Sequence, residues 1–565
     1  MSGPDHNEAG SGAGGANPQA AADGIITPDE PRTPPAPIGS ALQANVIVAT
    51  GTALSRLTGF ARFAVFGIIF GRAALWDAYN AANNSPNMVY ELLVGGVLSA
   101  TLVPVFTSLF HDQDDRGVRA VVGTSIVALL GLTGLAVALA PWIFRISSFR
   151  VSNSVDASDY RSLGASLARI FLIQILFYGL SAIWGGLLNA RRRFFAPAWA
   201  PILSNIAIIV SLVLARAQID GSADSFVEAL RDTGFRYTLA GGATVGIALQ
   251  ALALLPALRS AGVSIRPQLD LHHPAVRTVF RMSAWTFGFA AANVTSAQVV
   301  QNLAKPGSGD ASAYTLAYTF FQLPHALLAM SILTTFIPDL AASVRRRDRF
   351  AFVDRMTLGI RTIALITVPA GFGLFVLRRP ILGALLEHGS FDALDSLVTS
   401  RALGGFALGL GGFSIYMFVL RGFYSHQDTK TPFKINLVQN LLNIVLAVAL
   451  VAPYGVLGLG LAFALSYVVC AAWAIQVLDY KVRGFELRRT FVAIGKTVLA
   501  SIIMAEAIWV IGRIVGSNAG IGAGVRILLG ILIGIPVYGV LMWLLGSPEL
   551  NALLRIVRRR LRPDW

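Results

Sequence analysis

The stretch Ser55-Arg56-Leu57-Thr58-Gly59-Phe60-Ala61-Arg62 places two arginines inside an apolar run that extends from about Ala41 to Phe70. At about 1.5 Å per residue, a helix over that run is about 40 Å long, which is enough to cross a bilayer. Arg56 lies near its middle. An arginine at that depth costs at least about 2.5–3.5 kcal/mol unless it faces protein or a water-filled cavity. The stretch therefore predicts a membrane-spanning helix whose arginines receive a negatively charged ligand.

The composition is typical of a polytopic membrane protein. Of the 565 residues, 55% are hydrophobic and 13% are charged, whereas a soluble domain carries about 25% charged residues. The formal net charge of +15 is spread over short loops between apolar segments, which favours orientation in a membrane over nucleic-acid binding. The single cysteine, Cys470, excludes a disulfide or a cysteine-based metal site within one chain.

Apolar segments of spanning length recur along the chain and predict an all-α polytopic membrane protein with about fourteen transmembrane helices. Several segments exceed the usual length, so we expect tilts or breaks at Pro86, Pro104, Pro324 and Pro338. The segments lie at about 42–70, 78–110, 118–146, 165–190, 197–216, 237–258, 276–303, 312–344, 355–379, 399–424, 432–452, 456–479, 489–514 and 524–546.

Basic residues concentrate in alternate loops, which predicts the orientation of the chain in a plasma membrane. With the amino terminus inside, roughly twice as many basic residues fall on the cytoplasmic side as outside. An even number of helices then places both termini in the cytoplasm. Residues 1–40 contain few large apolar side chains and are predicted to be a disordered tail. The basic tail 549–565 is predicted to lie on anionic head groups.

An internal repeat is visible in the middle of the chain. Pro197 follows one cytoplasmic turn and precedes Asn205 by eight residues, and Pro432 precedes Asn440 by the same spacing. Two parallel six-helix bundles around a central cavity, followed by two more helices, are the architecture of an alternating-access transporter. The predicted boundaries are a tail at 1–40, bundles at 41–260 and 261–485, two helices at 486–548, and a tail at 549–565.

The motifs of common catalytic sites are missing from the sequence. No Walker loop, HExxH pair or Gly-x-Ser-x-Gly elbow occurs. We therefore predict no catalytic residues, no cofactor and no metal site, and we do not expect an enzyme.

The charged residues of the first two helices are the candidate site. Arg56 and Arg62 differ by about 120° around a helix, and a guanidinium matches the geometry of a phosphate. Asp77 at the start of the second helix caps that helix or pairs with an arginine. Glu91 lies within an apolar segment and counts as a functional candidate. In the alternative interpretation, Arg56 pairs with Asp77 or Glu91, and Arg62 extends to the outer interface.

Taken together, these motifs resemble the MurJ (MviN) family of lipid II flippases, within the multidrug/oligosaccharidyl-lipid/polysaccharide exporter superfamily. Gln322 and Pro324 stand in a Q-x-P setting similar to actinobacterial members. The most specific match is the loop G-F-Y-x-x-x-D-x-K-T-P, which contains Asp428, Lys430, Thr431 and Pro432. The other matches are S-R-x-x-G-F-x-R at 55–62, F-G at 70–71, D-A at 77–78, P-N at Pro86 and Asn87, and V-P at 103–104.

The resemblance implies transfer of an undecaprenyl-diphosphate-linked peptidoglycan precursor from the inner to the outer leaflet, for cell-wall biosynthesis. It assigns substrate binding to Arg56, Arg62 and Asp77, and we add Asn87 and Glu91 as candidates. The expected ligand is lipid II or a related undecaprenyl-diphosphate lipid. Proteins of cell-wall synthesis or division are expected as further partners, and nucleic acid is not.

The chain departs from the family pattern at positions that are often basic. Tyr90 stands three residues after the P-N pair, and Thr319 stands five residues before the proline of the eighth helix. These departures leave open an alternative cargo, such as another polyprenyl-linked glycan or an amphipathic drug. A function of another class, a non-transporting membrane scaffold for cell-wall enzymes, also stays open.

Overall fold

The computed structural model describes residues 38–92, 96–219, 224–262 and 267–550, and these residues form helices and turns without a strand. The chain divides into two compact units. The first covers residues 1–47 and is described only from Ile38, where the first helix begins. The second covers residues 48–565 and contains all the contacts discussed below.

The helices are numbered in chain order, and two π-helical turns lie between them at Tyr237–Gly241 and His325–Ala329. The helix bounds are α1 Ile38–Phe70, α2 Ala74–Tyr90, α3 Gly96–His111, α4 Asp115–Ala138, α5 Ala140–Ile146, α6 Ala157–Leu172, α7 Gln174–Ala190, α8 Phe195–Arg216, α9 Ser225–Arg231, α10 Thr233–Arg236, α11 Gly242–Leu252, α12 Leu255–Ser260, α13 Pro274–Leu303, α14 Asp310–Pro324, α15 Met330–Arg345, α16 Arg349–Leu386, α17 Ala393–Leu408, α18 Leu410–Ser425, α19 Lys430–Tyr454, α20 Val456–Val482, α21 Leu487–Val515 and α22 Gly520–Leu544.

The prediction of an all-α membrane protein is confirmed. Within the described residues, 11 helices are long and apolar enough to cross a bilayer, or 12 if the bent pair α17 and α18 forms one span. Two further predicted segments, 78–110 and 276–303, coincide with α2–α3 and α13 but are not among those spans. The count of fourteen therefore stays a prediction.

Only one of the four predicted proline breaks is seen. Pro324 ends α14 and is followed by the π-helical turn His325–Ala329, whereas α2, α3 and α15 continue past their prolines. The helices are unbroken at the other three prolines because a proline removes one N–H group without forcing a helix to end, and the predicted tilts there stay predictions. The breaks inside predicted spans fall instead at Leu139, Ile173, Ala253–Leu254 and Gly409.

Two pairs of turns repeat the same backbone geometry in the two halves of the chain, which we define as α1–α12 and α13–α20. Gln113 and Arg347 both have positive φ, 53° and 56°. The aspartates that follow them cap α4 and α16 by accepting the N–H three residues later, at 2.8 and 2.9 Å. Arg192 and Gln427 likewise have φ of 57° and 58°. After each of these, the next N–H donates to the carbonyl five residues earlier, at 2.8 and 3.1 Å.

The two halves also share one contact between helices. Asn205 of α8 donates its Nδ2–H to Thr58 Oγ1 of α1 at 3.0 Å. Asn440 of α19 donates in the same way to Asn293 Oδ1 of α13 at 2.9 Å. Both donors and both acceptors are separated by 235 residues. This correspondence supports two structural copies, while the predicted boundaries between them stay predictions.

Small and aromatic residues hold the second half together. A Cβ at Gly405 of α17 would lie 2.6 Å from the backbone of Gly460 in α20, so the two helices touch through their backbones, as is common between membrane helices. Next to this contact lies an aromatic cluster that joins α14, α17, α18 and α20. Its members are Tyr318, Phe321, Phe406, Phe413, Phe463 and Tyr467. This rigid block supports α14, which borders the site described next.

Candidate functional site

Arg56 lines a cavity of about 470 Å³ between the two halves. Helices α1 and α8 supply the wall from the first half, and α14 supplies the wall from the second half. Arg56 is exposed, not buried in protein or packed against a carboxylate. The lining residues are Thr52, Ser55, Arg56, Gly59, Phe60, Phe63, Pro197, Ala198, Pro201, Ser204, Asn205, Thr319, Gln322, Leu323 and Ala326.

One part of the cavity wall is held in position by the asparagine contact that recurs in both halves. Asn205 donates Nδ2–H to the carbonyl of Ser55 at 3.1 Å as well as to Thr58. Ser55 precedes Arg56, so this side chain of α8 sets the position of the helical turn that carries the arginine. The edge-to-face contact of Phe60 with Phe320 of α14, with centroids 4.7 Å apart, closes one side of the cavity.

No carboxylate of the described residues neutralises the positive charge of Arg56 or Arg62. Neither forms an ion pair with a carboxylate in the part of the chain that the structure describes. The alternative interpretation, in which Arg56 pairs with Asp77 or Glu91, is therefore not seen. An uncompensated guanidinium in a cavity is suited to an anionic ligand.

Arg62 lies beside the cavity and not among its lining residues. Its guanidinium carbon is 4.9 Å from the ring centroid of Phe63, and Phe63 also lines the cavity. On its other side Arg62 acts electrostatically on the phenols of Tyr79 and Tyr178. Arg62 is half-buried, and the structure does not place its guanidinium beside that of Arg56.

Asn87 and Glu91 lie on a polar stripe of α2 and its continuation. Asn84, Asn87 and Glu91 are exposed and recur at helical spacing. Asn87 forms a hydrogen bond with Tyr178, which connects it with Arg62. Tyr178 is therefore a neighbour of both Arg62 and Asn87. Glu91 is not among the residues that line the Arg56 cavity, and its role in substrate binding stays a prediction.

Asp77 has a different environment from the one predicted for it. Its carboxylate is fully buried and accepts three backbone N–H groups of the second half, from Gly307, Gly309 and Ser312, each at 2.8 Å. These donors lie at the start of α14 and in the turn before it. The structure does not bring Asp77 to the arginines, and its role in substrate binding stays a prediction. Its contacts support another role, in joining the two halves.

Arg72, which the sequence analysis missed, joins the same two surfaces. Its Nη1 lies 2.9 Å from Asp310 Oδ1 and its Nε lies 3.1 Å from Asp395 Oδ1. Its backbone N–H also donates to Asp395 Oδ2 at 3.0 Å. The available signal was an arginine directly after a spanning segment, which is typical of a membrane interface and does not identify partners more than 230 residues away.

Backbone contacts complete this junction. The Ser390 N–H donates to the Ile68 carbonyl at 2.8 Å. Gly71 and Gly389 have φ of +66° and +62°, and a Cβ at either would lie 2.5 Å from a carbonyl oxygen of the opposite segment, so glycine is required at both. We call the contacts of Ile68, Arg72 and Asp77 with the second half the outer junction, following the predicted orientation. It closes the end of the molecule that is predicted to face outward.

A π-helical turn lies directly beside the cavity. It follows Pro324, and its second residue, Ala326, lines the cavity. Its first residue, His325, forms a hydrogen bond between Nδ1 and Ser414 Oγ of α18 at 3.0 Å. Such turns are frequent at functional sites, and they bend a helix locally. The turn is thus a place where α14 and α15 can change their relative direction.

The G-F-Y-x-x-x-D-x-K-T-P loop motif forms a structural contact outside the Arg56 cavity. Asp428 accepts hydrogen bonds from the Thr431 N–H at 3.0 Å and from the Lys481 Nζ–H at 2.6 Å. Burial alone would raise the pKa of the Asp428 carboxyl, but the bonds from Lys481 and Thr431 outweigh it and lower the pKa to about 2. Lys430 and Pro432 form the first turn of α19. The motif therefore joins the α18–α19 turn to the end of α20, away from the cavity.

Metal binding finds no support in the described residues, where no group of three or more His, Cys, Asp or Glu side chains could hold an ion. The arrangement can bind an anion through a guanidinium, admit a polar head group between the halves, and keep the opposite end closed. These are elements that a transport site requires.

Comparison with known proteins adds a family relationship. A family model described as lipid II flippase MurJ matches residues 66–530. The chain is 28% identical over 403 residues to the lipid II flippase MurJ of Burkholderia cenocepacia, over 70% of this chain and 75% of that protein. It is also 28% identical over 482 residues to the probable lipid II flippase MurJ of Vibrio cholerae serotype O1, over 83% of this chain and 87% of that protein.

Solved structures share the fold. A lipid II flippase MurJ in an inward closed conformation matches with a TM-score of 0.72 at 24% identity, over 88% of this chain and 98% of that one. An inward-facing multidrug resistance transporter of the MATE family, in the MOP superfamily, matches with a TM-score of 0.62 at 14% identity, over 78% of this chain and 99% of that one. The predicted all-α transporter fold is therefore confirmed, and the division into two six-helix bundles and two further helices stays a prediction.

Proposed function

The chain belongs to the MurJ family of lipid II flippases, and we propose that it moves lipid II from the inner to the outer leaflet of the plasma membrane by alternating access. The observation that carries the proposal is the exposed, unpaired guanidinium of Arg56 in a cavity between the two halves. The diphosphate group of the ligand supplies the negatively charged partner that this guanidinium does not find among the described residues. The sugar and peptide groups of the ligand would occupy the polar neighbourhood around Asn87 and Glu91.

The outer junction supplies the other part of the proposed mechanism. Arg72, Asp77 and the backbone at Ser390 hold the two halves together at one end, while the Arg56 cavity lies between them further along α1. Transfer requires that these contacts break when the loaded site opens outward and form again afterwards. Such a rigid-body exchange between two packed arrangements is the usual form of alternating access.

Growth complementation tests the proposal in cells. We expect Arg56→Ala to abolish rescue of cells that have been depleted of their own lipid II flippase, because the alanine removes the anion-binding group and leaves the helix intact. Arg346→Ala, which removes an exposed arginine at the end of α15, is the matched control and is expected to rescue growth. Full rescue by Arg56→Ala at normal expression would refute the role assigned to this arginine.

A different cargo is the second candidate, and two positions favour it. Thr319 lines the cavity where relatives often carry a basic residue, and Tyr90 packs toward Tyr178, with ring centroids 6.1 Å apart. The cavity therefore offers fewer cations than the family pattern implies. Binding of another polyprenyl-linked glycan by the purified protein, together with failure to bind lipid II, would favour this candidate.

Two finer points belong to the same proposal. We place both termini in the cytoplasm, because the basic loops at one end of the helices outnumber those at the other. We also expect contacts with proteins of cell-wall synthesis or division, since these enzymes make and consume the lipid-linked precursor. Actinobacterial ancestry is proposed from the Q-x-P setting of Gln322 and Pro324 alone.

A further inference from the structure

A second cavity lies far from the substrate site, at the predicted cytoplasmic end of α16, α21 and α22. Its volume is about 380 Å³. It shares no lining residue with the Arg56 cavity. Two of the three helices that form it, α21 and α22, lie outside the two repeated halves. We call it the basic pocket. Its lining residues are Arg361, Arg488, Arg489, Val492, Ala493, Lys496, Met542, Gly546, Ser547, Pro548 and Glu549.

The basic pocket carries four cationic side chains against one carboxylate. Arg361 and Glu549 face each other across it at 3.4 Å, and both are largely buried. The Nε–H of Arg361 is buried and has no hydrogen-bond acceptor among the described residues. Four cationic side chains against one carboxylate leave an excess of positive charge in the lining of the basic pocket, which favours an anionic ligand.

The remaining cations differ in how they are held. Lys496 donates Nζ–H to the carbonyl of Leu545 at 2.8 Å, which fixes it at the end of α22. Arg489 is paired with Glu486 at 2.8 Å outside the pocket. Arg488 is exposed and has no ion pair or hydrogen bond with any described residue. Lys496 is thus a positive charge at a fixed position. The Arg488 side chain can move to contact a ligand.

The surroundings of the basic pocket are those of a lipid and not of a soluble ion. Both α21 and α22 are long and apolar enough to span a bilayer, and the pocket lies where one begins and the other ends. Large apolar side chains next to it are exposed, with Val492 and Leu499 each 51% accessible and Leu544 66% accessible. Acyl chains can lie along these surfaces while a head group occupies the pocket.

We propose that the basic pocket binds the phosphate of an anionic phospholipid head group. Arg361, Lys496 and Arg488 supply charge-assisted hydrogen bonds, and the exposed faces of α21 and α22 receive the acyl chains. A lipid held there joins α16 to the two helices that follow the repeat. The site does not depend on the proposed transport function, because none of its residues contacts the substrate cavity.

Native mass spectrometry of the full-length chain in a neutral detergent tests the site. Dioleoyl phosphatidylglycerol is the probe, dioleoyl phosphatidylcholine is the lipid of equal chain length without net charge, and inorganic phosphate is the competitor. The test variant is Arg488→Gln with Lys496→Gln. The control is Arg345→Gln with Arg346→Gln, which removes the same charge from exposed positions outside the pocket.

We expect the wild type and the control to retain one phosphatidylglycerol per chain with about tenfold higher affinity than the test variant. Equal retention by the test variant would overturn the proposal, as would equal retention of phosphatidylcholine by the wild type. Displacement of the lipid by millimolar phosphate would show an ion site and overturn the commitment to a lipid. If the double variant unfolds early, Arg488→Gln alone replaces it, because that exposed side chain has no partner to lose.

Discussion

At the scale of single residues, Arg56 and Asp77 show how the same helix pair carries two unlike charges. Arg56 is left unpaired and exposed in a cavity, whereas Asp77 is buried and satisfied by three N–H groups of the other half. A charge that is to bind a ligand must remain available, and a charge that holds two parts together must be satisfied. We therefore expect the two residues to act in different phases of the proposed transport cycle.

Asp77→Asn is expected to weaken the outer junction. An asparagine has one acceptor oxygen and loses the charge, so at least one of the three N–H donors is left without an acceptor at a cost of about 2 kcal/mol. That loss of free energy corresponds to an increase of about tenfold or more in the population in which the junction is open. We expect faster labelling of Ser308→Cys by a membrane-impermeant maleimide, measured in a Cys470→Ala background.

Asn80→Ala is the control for this measurement. Asn80 lies on the same helix, and its hydrogen bond to Ser312 Oγ is long, at 3.3 Å, so its removal should change labelling little. Equal labelling rates in the Asp77→Asn variant and the control would show that the carboxylate does not hold the junction closed.

The hydrogen bonds that Asp428 accepts lead to a prediction about how stability depends on pH. Its carboxyl has a pKa of about 2 in the folded protein against about 3.9 when unfolded, so its stabilisation is complete above pH 4 and disappears only as the pH falls through about 2. We expect Asp428→Asn to lower the free energy of unfolding by about 1 kcal/mol. The difference in melting temperature from the wild type should be constant from pH 5 to pH 8. A difference that shrinks within that range would contradict the assigned protonation.

At the scale of helices and turns, one part of the outer junction is a contact between the end of α1 and the loop before α17. The backbones of Ile68 and Ser390 are hydrogen-bonded at 2.8 Å, and glycines beside both allow this approach. Because α1 also carries Arg56, movement at this contact changes the wall of the cavity. The π-helical turn after Pro324 offers the matching point of flexure in the second half.

A disulfide across this contact is expected to stop transport. In a Cys470→Ala background, Ile68→Cys with Ser390→Cys should cross-link under mild oxidation because the two backbones touch. Transport should fall to background and return after reduction, since the halves could no longer separate at that end. Each single variant is the control. Unchanged transport by the fully cross-linked protein would show that the junction does not open during the cycle.

The helices could be predicted from the sequence because their signals are local. Long apolar segments, the depth of Arg56 and the matching Asn205 and Asn440 all lie in stretches that can be recognised without tertiary contacts. The partners of Arg72 and Asp77 could not, because they lie at least 230 residues away and a backbone N–H has no sequence signature. No break is seen at Pro86 because a helix supported by neighbours can continue past a proline, and a tilt at this position stays a prediction.

At the scale of the whole molecule, the repeat explains why one site lies between two bundles. The same turns and the same asparagine contact hold α8 to α1 and α19 to α13, so corresponding helices of the two halves are joined in the same way. The outer junction between them is made of a few polar contacts, which can be exchanged more easily than an apolar core. Helices α21 and α22 pack beside the second half and form the basic pocket with α16.

Leaflet transfer of fluorescent lipid II in proteoliposomes tests the role of Arg56 most directly. Wild-type protein and the Arg346→Ala control should expose the lipid in the outer leaflet faster than protein-free vesicles do. Arg56→Ala should fall to the protein-free rate, provided that it folds and inserts as the control does. Transfer by Arg56→Ala at the wild-type rate would contradict a cavity in which this guanidinium binds the diphosphate.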